Sequence, residues 1–280
     1  YDQKSNTFTI DAYDFTTLEK TKTLYNSKNF SELEGIDDYS INKTDDKILI
    51  ATNSTPIYRH SFTAVYYLYD IKTNSLTKVS NNAIQEPLLT ADGTKIAYAF
   101  ENNLYVFDVN KNTTVQVTKD GVYNKIINGI TDWVYEEEFA FVRAFDWNTD
   151  GTQLAFIRFD ESDVPTFSMD VYGKELYPTQ QVFKYPKAGE KNSKVSLHIY
   201  DAKKASTKKV ALNEAKDYYI PRIKFTNKAN LLSVQTLNRH QNDLNLYFVD
   251  VTSAKVNTIL TEKDKAYVDV TDNLTFLKDN

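Results

Sequence analysis

The 280-residue sequence contains no cysteine, one methionine, seven glycines and three histidines. Without cysteine the chain has neither disulfide bonds nor thiolate metal sites, and cysteine usage does not decide its compartment. No apolar run approaches the roughly 20 residues that a membrane-spanning helix needs, and residues 1–4 do not resemble a signal peptide. Lysines are scattered and the formal net charge is −5, so a nucleic-acid partner is not expected.

Aromatic residues, in contrast, are abundant, with 20 tyrosines and 16 phenylalanines. Flat aromatic side chains suit the pleated, half-buried surface of a sheet, and few glycines interrupt the chain. The composition therefore predicts a soluble, globular, mostly β protein.

A strand that ends in aspartate recurs along the chain, and a polar turn and a second short strand follow each copy. The copies occupy residues 67–70, 105–108, 198–201 and 247–250. A second unit, a polar turn leading into an apolar strand, precedes them and is clearest at 92–98 and 150–156, with degenerate copies at 46–50 and 229–233. Two hairpins per repeat predict four-stranded blades and hence an all-β propeller. A β-sandwich built from regularly spaced hairpins is the alternative fold.

The spacing of the repeat predicts the number of blades. The terminal aspartates lie 38, 93 and 49 residues apart, so we expect the long interval to hold two blades plus inserted material. Residues 275–280 are similar to the inner strand of a further blade. The sequence predicts a partial propeller domain over residues 1–280, with roughly five blades and the remainder missing.

One segment, residues 129–139, does not fit the strand alternation. Asp132 is a plausible N-cap, and acidic residues favour the first turns of a helix, so a short inserted helix is predicted near 132–141. Its run of three glutamates, Glu136 to Glu138, is flanked by aromatic residues. Paired carboxylates repel each other, so holding them together favours either a raised pKa or a cationic guest such as an α-ammonium group. A solvated acidic face and an oxygen-only calcium site are the alternatives, while the isolated histidines predict no metal site.

Arg59 lies in a second notable segment, residues 58–64. The chain has only five arginines against 28 lysines, and a planar guanidinium is suited to hold a carbonyl or carboxylate in place. An inter-blade salt bridge is the structural alternative.

Together these segments resemble the dipeptidyl peptidase IV family of prolyl-oligopeptidase-like serine peptidases. The resemblance is carried by residues 58–61, 128–138, 163–165, 177–178 and 185–189. It implies the front part of an eight-bladed propeller that caps an α/β-hydrolase domain. It also implies that Glu137 and Glu138 bind the ammonium of a peptide N-terminus, that Arg59 binds the carbonyl oxygen of the second residue, and that Glu136 is the outward member of the triplet.

The resemblance further implies a parent enzyme that releases Xaa-Pro or Xaa-Ala dipeptides, is exported and commonly forms a homodimer, with no cofactor. No Gly-x-Ser-x-Gly elbow occurs in this chain, and the family's catalytic triad belongs to the hydrolase domain, so no catalytic residue is assigned here. Ala140 and Phe141 stand where relatives often carry polar or small residues. A non-catalytic propeller that binds a protein or a glycan is the alternative function.

Overall fold

The computed structural model describes residue 1 and residues 7–33, 35–212 and 217–277. Within these ranges the chain is almost entirely β, as predicted, and its antiparallel strands form successive sheets in sequence order. The first sheet has two strands, β1 (Thr9–Tyr13) and β2 (Lys20–Asn26), and a 3-10 helix follows at Ser27–Asn29.

Two regular four-stranded sheets come next. The second sheet contains β3 (Asp38–Ile41), β4 (Lys47–Pro56), β5 (Phe62–Asp70) and β6 (Ser75–Lys78). The third contains β7 (Gln85–Leu89), β8 (Lys95–Phe100), β9 (Asn103–Asp108) and β10 (Thr113–Gln116). Each sheet pairs neighbouring strands in chain order, which is the topology of a propeller blade.

The fourth sheet is interrupted by two insertions. Its elements in chain order are β11 (Ile126–Asn128), α1 (Trp133–Glu138), β12 (Phe145–Trp147), β13 (Gln153–Asp160), β14 (Thr166–Val171), β15 (Thr179–Lys184), β16 (Lys194–Asp201) and β17 (Ser206–Val210). The fifth sheet returns to the regular pattern with β18 (Tyr218–Phe225), β19 (Leu231–Asn238), β20 (Asp243–Asp250) and β21 (Val256–Lys263).

The expectation of two blades between Asp108 and Asp201 is wrong, because the described residues there form one blade. The strands β11 and β12 pair with opposite ends of β13, so together they make one inner strand that is split by the segment carrying α1. The strands β14 and β15 pair only with each other and form a separate hairpin. These two insertions account for the additional length.

The recurring aspartate has a structural cause. Asp70 is the last residue of its strand, and its side chain accepts hydrogen bonds from the backbone amides of Lys72 and Thr73 at 2.9 and 3.0 Å. Asp201 and Asp250 make the same two contacts with the residues two and three positions later. A carboxylate at this position therefore closes the turn to the last strand of a blade.

The last residues, 275–280, were predicted to be similar to the inner strand of a further blade. No strand is assigned to residues 274–277, and residues 278–280 lie outside the described residues. The side-chain amide of Asn227 donates to the carbonyl oxygens of Phe276 and Leu277, at 3.1 and 2.8 Å. No strand pairs with this segment among the described residues, so its similarity to an inner strand stays a prediction.

The core lies between neighbouring sheets. Its largest cluster joins the third, fourth and fifth sheets and includes the fully buried Leu104, Leu154, Phe159 and Leu232. The helix α1 contributes Tyr135 to the same cluster. Through Tyr135, the insertion that carries α1 is thus packed against these sheets.

Candidate functional site

The helix α1 begins where the sequence predicts. Asp132 is the N-cap, and its side chain accepts a hydrogen bond from the backbone amide of Tyr135 at 3.0 Å. Its second carboxylate oxygen accepts from Ser193 Oγ at 2.5 Å. Asp132 is buried, and this burial raises the pKa of its carboxyl while the hydrogen bonds from Ser193 and the backbone oppose the shift. One side chain therefore both starts the helix and ties it to the loop before β16.

Tyr135 anchors the helix to the blades. The side chain is 1% exposed, and its hydroxyl accepts a hydrogen bond from the buried backbone amide of Ile220 at 2.9 Å. Its ring makes edge contacts with Phe159 and Tyr219, at centroid distances of 4.8 and 6.0 Å. A helix of six residues is too short to be stable alone, so these contacts hold it in place.

Arg59 lies in a tight turn between β4 and β5. The turn is closed by two hydrogen bonds, from the amide of Ile57 to the carbonyl of Ser61 at 2.8 Å and from the amide of Tyr58 to Ser61 Oγ at 3.2 Å. The Arg59 side chain is 70% exposed. Packing therefore does not hold the guanidinium, and its position depends on the backbone of the turn and on the polar contacts of the side chain.

The acidic triplet of α1 meets this turn through two of its members. Arg59 Nε donates to Glu137 Oε2 at 2.9 Å, and the Glu137 side chain is 16% exposed. Glu138, the last residue of α1, is exposed. The structure thus brings Arg59 and Glu137 into direct contact and leaves Glu138 beside them on the helix with its carboxylate open to solvent.

The expectation that Glu136 points outward is wrong. Glu136 is 1% exposed, and its Oε1 accepts hydrogen bonds from the backbone amides of His60 and Ser61 at 2.7 and 2.8 Å. Two converging amides can stabilise a carboxylate that has lost its water, which explains how an ionisable side chain is buried here. Of the triplet, the first member is therefore the one directed into the protein.

The two attachments between turn and helix differ in strength. A hydrogen bond to an ionised group contributes about 1.5–3 kcal/mol, and Glu136 accepts two in a buried position. An exposed ion pair contributes about 0–1 kcal/mol, and Arg59 is largely exposed. Glu136 is therefore the main link between turn and helix, and the pair of Arg59 with Glu137 remains available for another role.

A cavity of about 290 Å³ lies beneath the turn and the start of α1. Its walls are largely apolar and include Phe100 and Ile127, while Tyr58, Glu136 and Glu161 contribute polar groups. Glu161 is 5% exposed, and burial raises the pKa of its carboxyl to about 7, with a further increase from the negative charge of Asp132. Sequence reasoning missed Glu161, because no pattern distinguishes it within the acidic run at 160–163.

The described residues offer little for metal chemistry. In these ranges no three or more histidine, cysteine, aspartate or glutamate side chains are grouped so that they could hold a metal ion. The structural alternative for Arg59 is met in part, because its contact with Glu137 is an ion pair between the turn of the second sheet and the helix inserted in the fourth. No helix in the described part of the chain is long and apolar enough to cross a membrane.

The chain is similar to a known protein family and to a solved structure. Residues 42–280 match the family described as Dipeptidyl peptidase IV (DPP IV) N-terminal region, and this range includes both the turn and α1. The crystal structure of Porphyromonas gingivalis dipeptidyl peptidase 4 is similar with a TM-score of 0.90 and 41% identity, covering 93% of this chain and 38% of that one.

Two curated proteins show the same relationship in sequence. The chain is 33% identical over 254 residues to probable dipeptidyl-aminopeptidase B of Emericella nidulans, which covers 82% of this chain and 28% of that protein. It is 36% identical over 159 residues to human prolyl endopeptidase FAP, which covers 55% of this chain and 21% of that protein. The chain thus spans well under half the length of these relatives, and it belongs to the dipeptidyl peptidase IV N-terminal region family.

Proposed function

We propose that this chain is the substrate-gating propeller region of a dipeptidyl peptidase and that it binds the free N-terminus of a peptide. The observation that carries the proposal is the contact between Arg59 and Glu137, which joins residues 78 apart in sequence at one exposed place. Glu138 is the next residue on the helix and is exposed, and we assign it the second carboxylate of the site. The names of the relatives, dipeptidyl peptidases and aminopeptidases, support the same function.

The proposed mechanism follows from charge. Glu137 and Glu138 together carry two negative charges, which offset the charge of a substrate ammonium when it leaves water. Arg59 already donates to Glu137, and it has further N–H donors for the carbonyl oxygen of the second substrate residue. Arg59 therefore restrains both the peptide and the pair Glu137 and Glu138, which we call the clamp.

The clamp also sets the length of the peptide fragment that is released. In the complete peptidase, a fixed distance between the ammonium site and the nucleophile of the hydrolase domain leaves room for two residues, so a dipeptide is released. The nucleophile and its triad would lie in that hydrolase domain, which the family resemblance implies. The proposed substrates are peptides with a free N-terminus and proline or alanine at the second position.

Two further properties of the complete protein rest on the resemblance. We expect export to a periplasm, a cell surface or the medium, and we expect a homodimer. The hairpin of β14 and β15 supports the dimer, because Met169 and Val171 are about two fifths exposed (42% and 39%) in a sheet of only two strands. Light scattering on the complete protein tests this expectation, and a strictly monomeric species would contradict it.

The experiment that tests the proposed function is hydrolysis of a Gly-Pro anilide by the complete protein and by its Glu137→Ala and Glu138→Ala variants. We expect each substitution to lower kcat/KM on the order of 100-fold or more, because an ammonium clamp acts in binding and in orientation. Glu19→Ala, at an exposed position between β1 and β2, is the matched control and should retain full activity. Full activity in both clamp variants would overturn the proposal and favour a non-catalytic interaction module.

A further inference from the structure

Glu136 connects the turn that carries Arg59 to the helix that carries Glu137. One oxygen of its carboxylate accepts hydrogen bonds from two consecutive backbone amides, those of His60 and Ser61. The donors and the acceptor are 75 and 76 residues apart in sequence. The contact therefore sets how two separate segments lie relative to each other. It lies next in sequence to Arg59 in the turn and to Glu137 in the helix.

Both segments are restrained on their other sides. The helix is fixed by its N-cap Asp132 and by Tyr135, which is buried against the blades. The turn is closed upon itself by the two hydrogen bonds of Ser61 with Ile57 and Tyr58. A displacement of the turn relative to the helix consequently has to break the contacts of Glu136.

Arg59 immediately precedes the two amides that Glu136 holds. Its own side chain is 70% exposed, so the backbone position of the turn decides whether the guanidinium can reach Glu137. Glu137 is the next residue after Glu136 on the helix. The same carboxylate thus sets the distance between the turn that carries Arg59 and the helix that carries Glu137.

We propose that Glu136 is a positioning residue for the peptide N-terminus site, acting through Arg59 by holding the turn at a fixed distance from the helix. This inference rests on the proposed function. Glu136 itself is directed away from the site and does not touch the substrate in this proposal. Since an error of about 1 Å in the position of a binding group can cost on the order of 100-fold in rate, loss of the contact should affect kcat/KM.

Three substitutions of Glu136 separate geometry from charge. Glutamine retains a carbonyl oxygen with two lone pairs, which can accept from both amides. Aspartate retains the charge but is one methylene shorter, and alanine removes the acceptor. If positioning is the role, glutamine should remain within about threefold of the unmodified protein, whereas aspartate and alanine should each lower kcat/KM about tenfold or more.

A double-mutant cycle with Arg59→Ala provides the decisive test in the complete protein, with Gly-Pro anilide as substrate. If Glu136 acts through Arg59, Glu136→Ala lowers activity when Arg59 is present and has almost no additional effect when it is absent. Amide hydrogen exchange of His60 and Ser61 gives a second readout that does not depend on activity. Their exchange should become about tenfold faster or more in the alanine and aspartate variants and remain slow in the glutamine variant.

The possible results distinguish this inference from the function on which it rests. If Arg59→Ala and Glu137→Gln lose activity while Glu136→Asp and Glu136→Ala retain it, the positioning role is overturned and the clamp stands. If Arg59→Ala and Glu137→Gln remain fully active, the proposed function fails and the positioning role fails with it. Should the alanine variant not fold, the comparison of aspartate with glutamine still decides the matter, because both keep a polar side chain at this position.

Discussion

Arg59 Nε donates a hydrogen bond to Glu137 Oε2 at 2.9 Å, across 78 residues of sequence and two different structural elements. The arginine is mostly exposed, whereas the glutamate is largely covered. An ion pair in this position is screened by water and contributes little to folding. Its residues are therefore available to exchange partners when an ammonium or a carbonyl group arrives.

Loss of this pair should affect function far more than stability. We expect Arg59→Ala to change the free energy of unfolding by less than about 1 kcal/mol, measured by urea denaturation of the 280-residue chain. The control is Arg158→Ala, because Arg158 is 27% exposed and pairs with Asp120 at 2.7 Å, so its removal should cost more. A loss above about 2 kcal/mol for Arg59→Ala would show that the pair is structural.

Much of the fold could be predicted because the repeat has local causes. Asp70, Asp201 and Asp250 were recognisable at strand ends since each carboxylate binds amides two and three residues later, a contact that any sequence with the same spacing can make. The N-cap role of Asp132 is local in the same way. Such features depend on neighbours in sequence and need no knowledge of the packing.

The features that sequence reasoning missed depend on distant partners. The family resemblance implied that Glu136 faces outward, and nothing near it in sequence shows that the amides of residues 60 and 61 will satisfy its carboxylate. The hairpin of β14 and β15 lies in the interval that was expected to hold two blades, and it pairs with neither β13 nor β16. Residue type and spacing therefore predict hairpins, while the assembly of hairpins decides burial.

Removal of the Tyr135 hydroxyl should destabilise the insertion. In Tyr135→Phe the buried amide of Ile220 loses its acceptor, and an unsatisfied buried donor costs about 1–3 kcal/mol. Urea denaturation of the chain measures this loss. Tyr172→Phe, at a position 79% exposed on the hairpin loop, is the matched control and should leave stability unchanged. Equal stability of the two variants would mean that the hydroxyl of Tyr135 does not anchor α1.

Gly129 marks the point where the chain leaves the inner strand towards α1, and it should not tolerate a side chain. Its φ is +77°, and an added Cβ would lie 2.4 Å from Leu104 Cδ2 in the core. Both strain and overpacking oppose alanine, so Gly129→Ala should cost about 2 kcal/mol or more in unfolding free energy.

Gly173 provides the control for this prediction, because nothing lies within 4 Å of its added Cβ. Gly173→Ala should change stability by less than about 0.5 kcal/mol. Thermal unfolding of both variants compares them directly. If Gly129→Ala were as stable as Gly173→Ala, the close approach of the insertion to Leu104 would not be a requirement of the fold.

Glu161 should make stability depend on pH in the direction opposite to that of a typical carboxylate. Burial raises the pKa of its carboxyl from 4.5 to about 7 in the folded protein, so the folded state holds this proton more tightly than the unfolded chain does. The stabilisation from the protonated form is complete below about pH 4.5 and is lost as pH rises towards 7. Glu161→Gln mimics the protonated form at every pH.

The stability of Glu161→Gln relative to the unmodified chain should therefore increase with pH. We expect a difference near zero at pH 4.5 and about 2–3 kcal/mol in favour of the glutamine variant at pH 8, measured by urea denaturation at matched ionic strength. The control Glu175→Gln replaces an exposed glutamate and should give the same small difference at both pH values. If the advantage of glutamine at position 161 were equal at pH 4.5 and pH 8, burial would not raise the pKa of Glu161. Another group beneath the Arg59 turn would then have to stabilise the negative charge of its carboxylate.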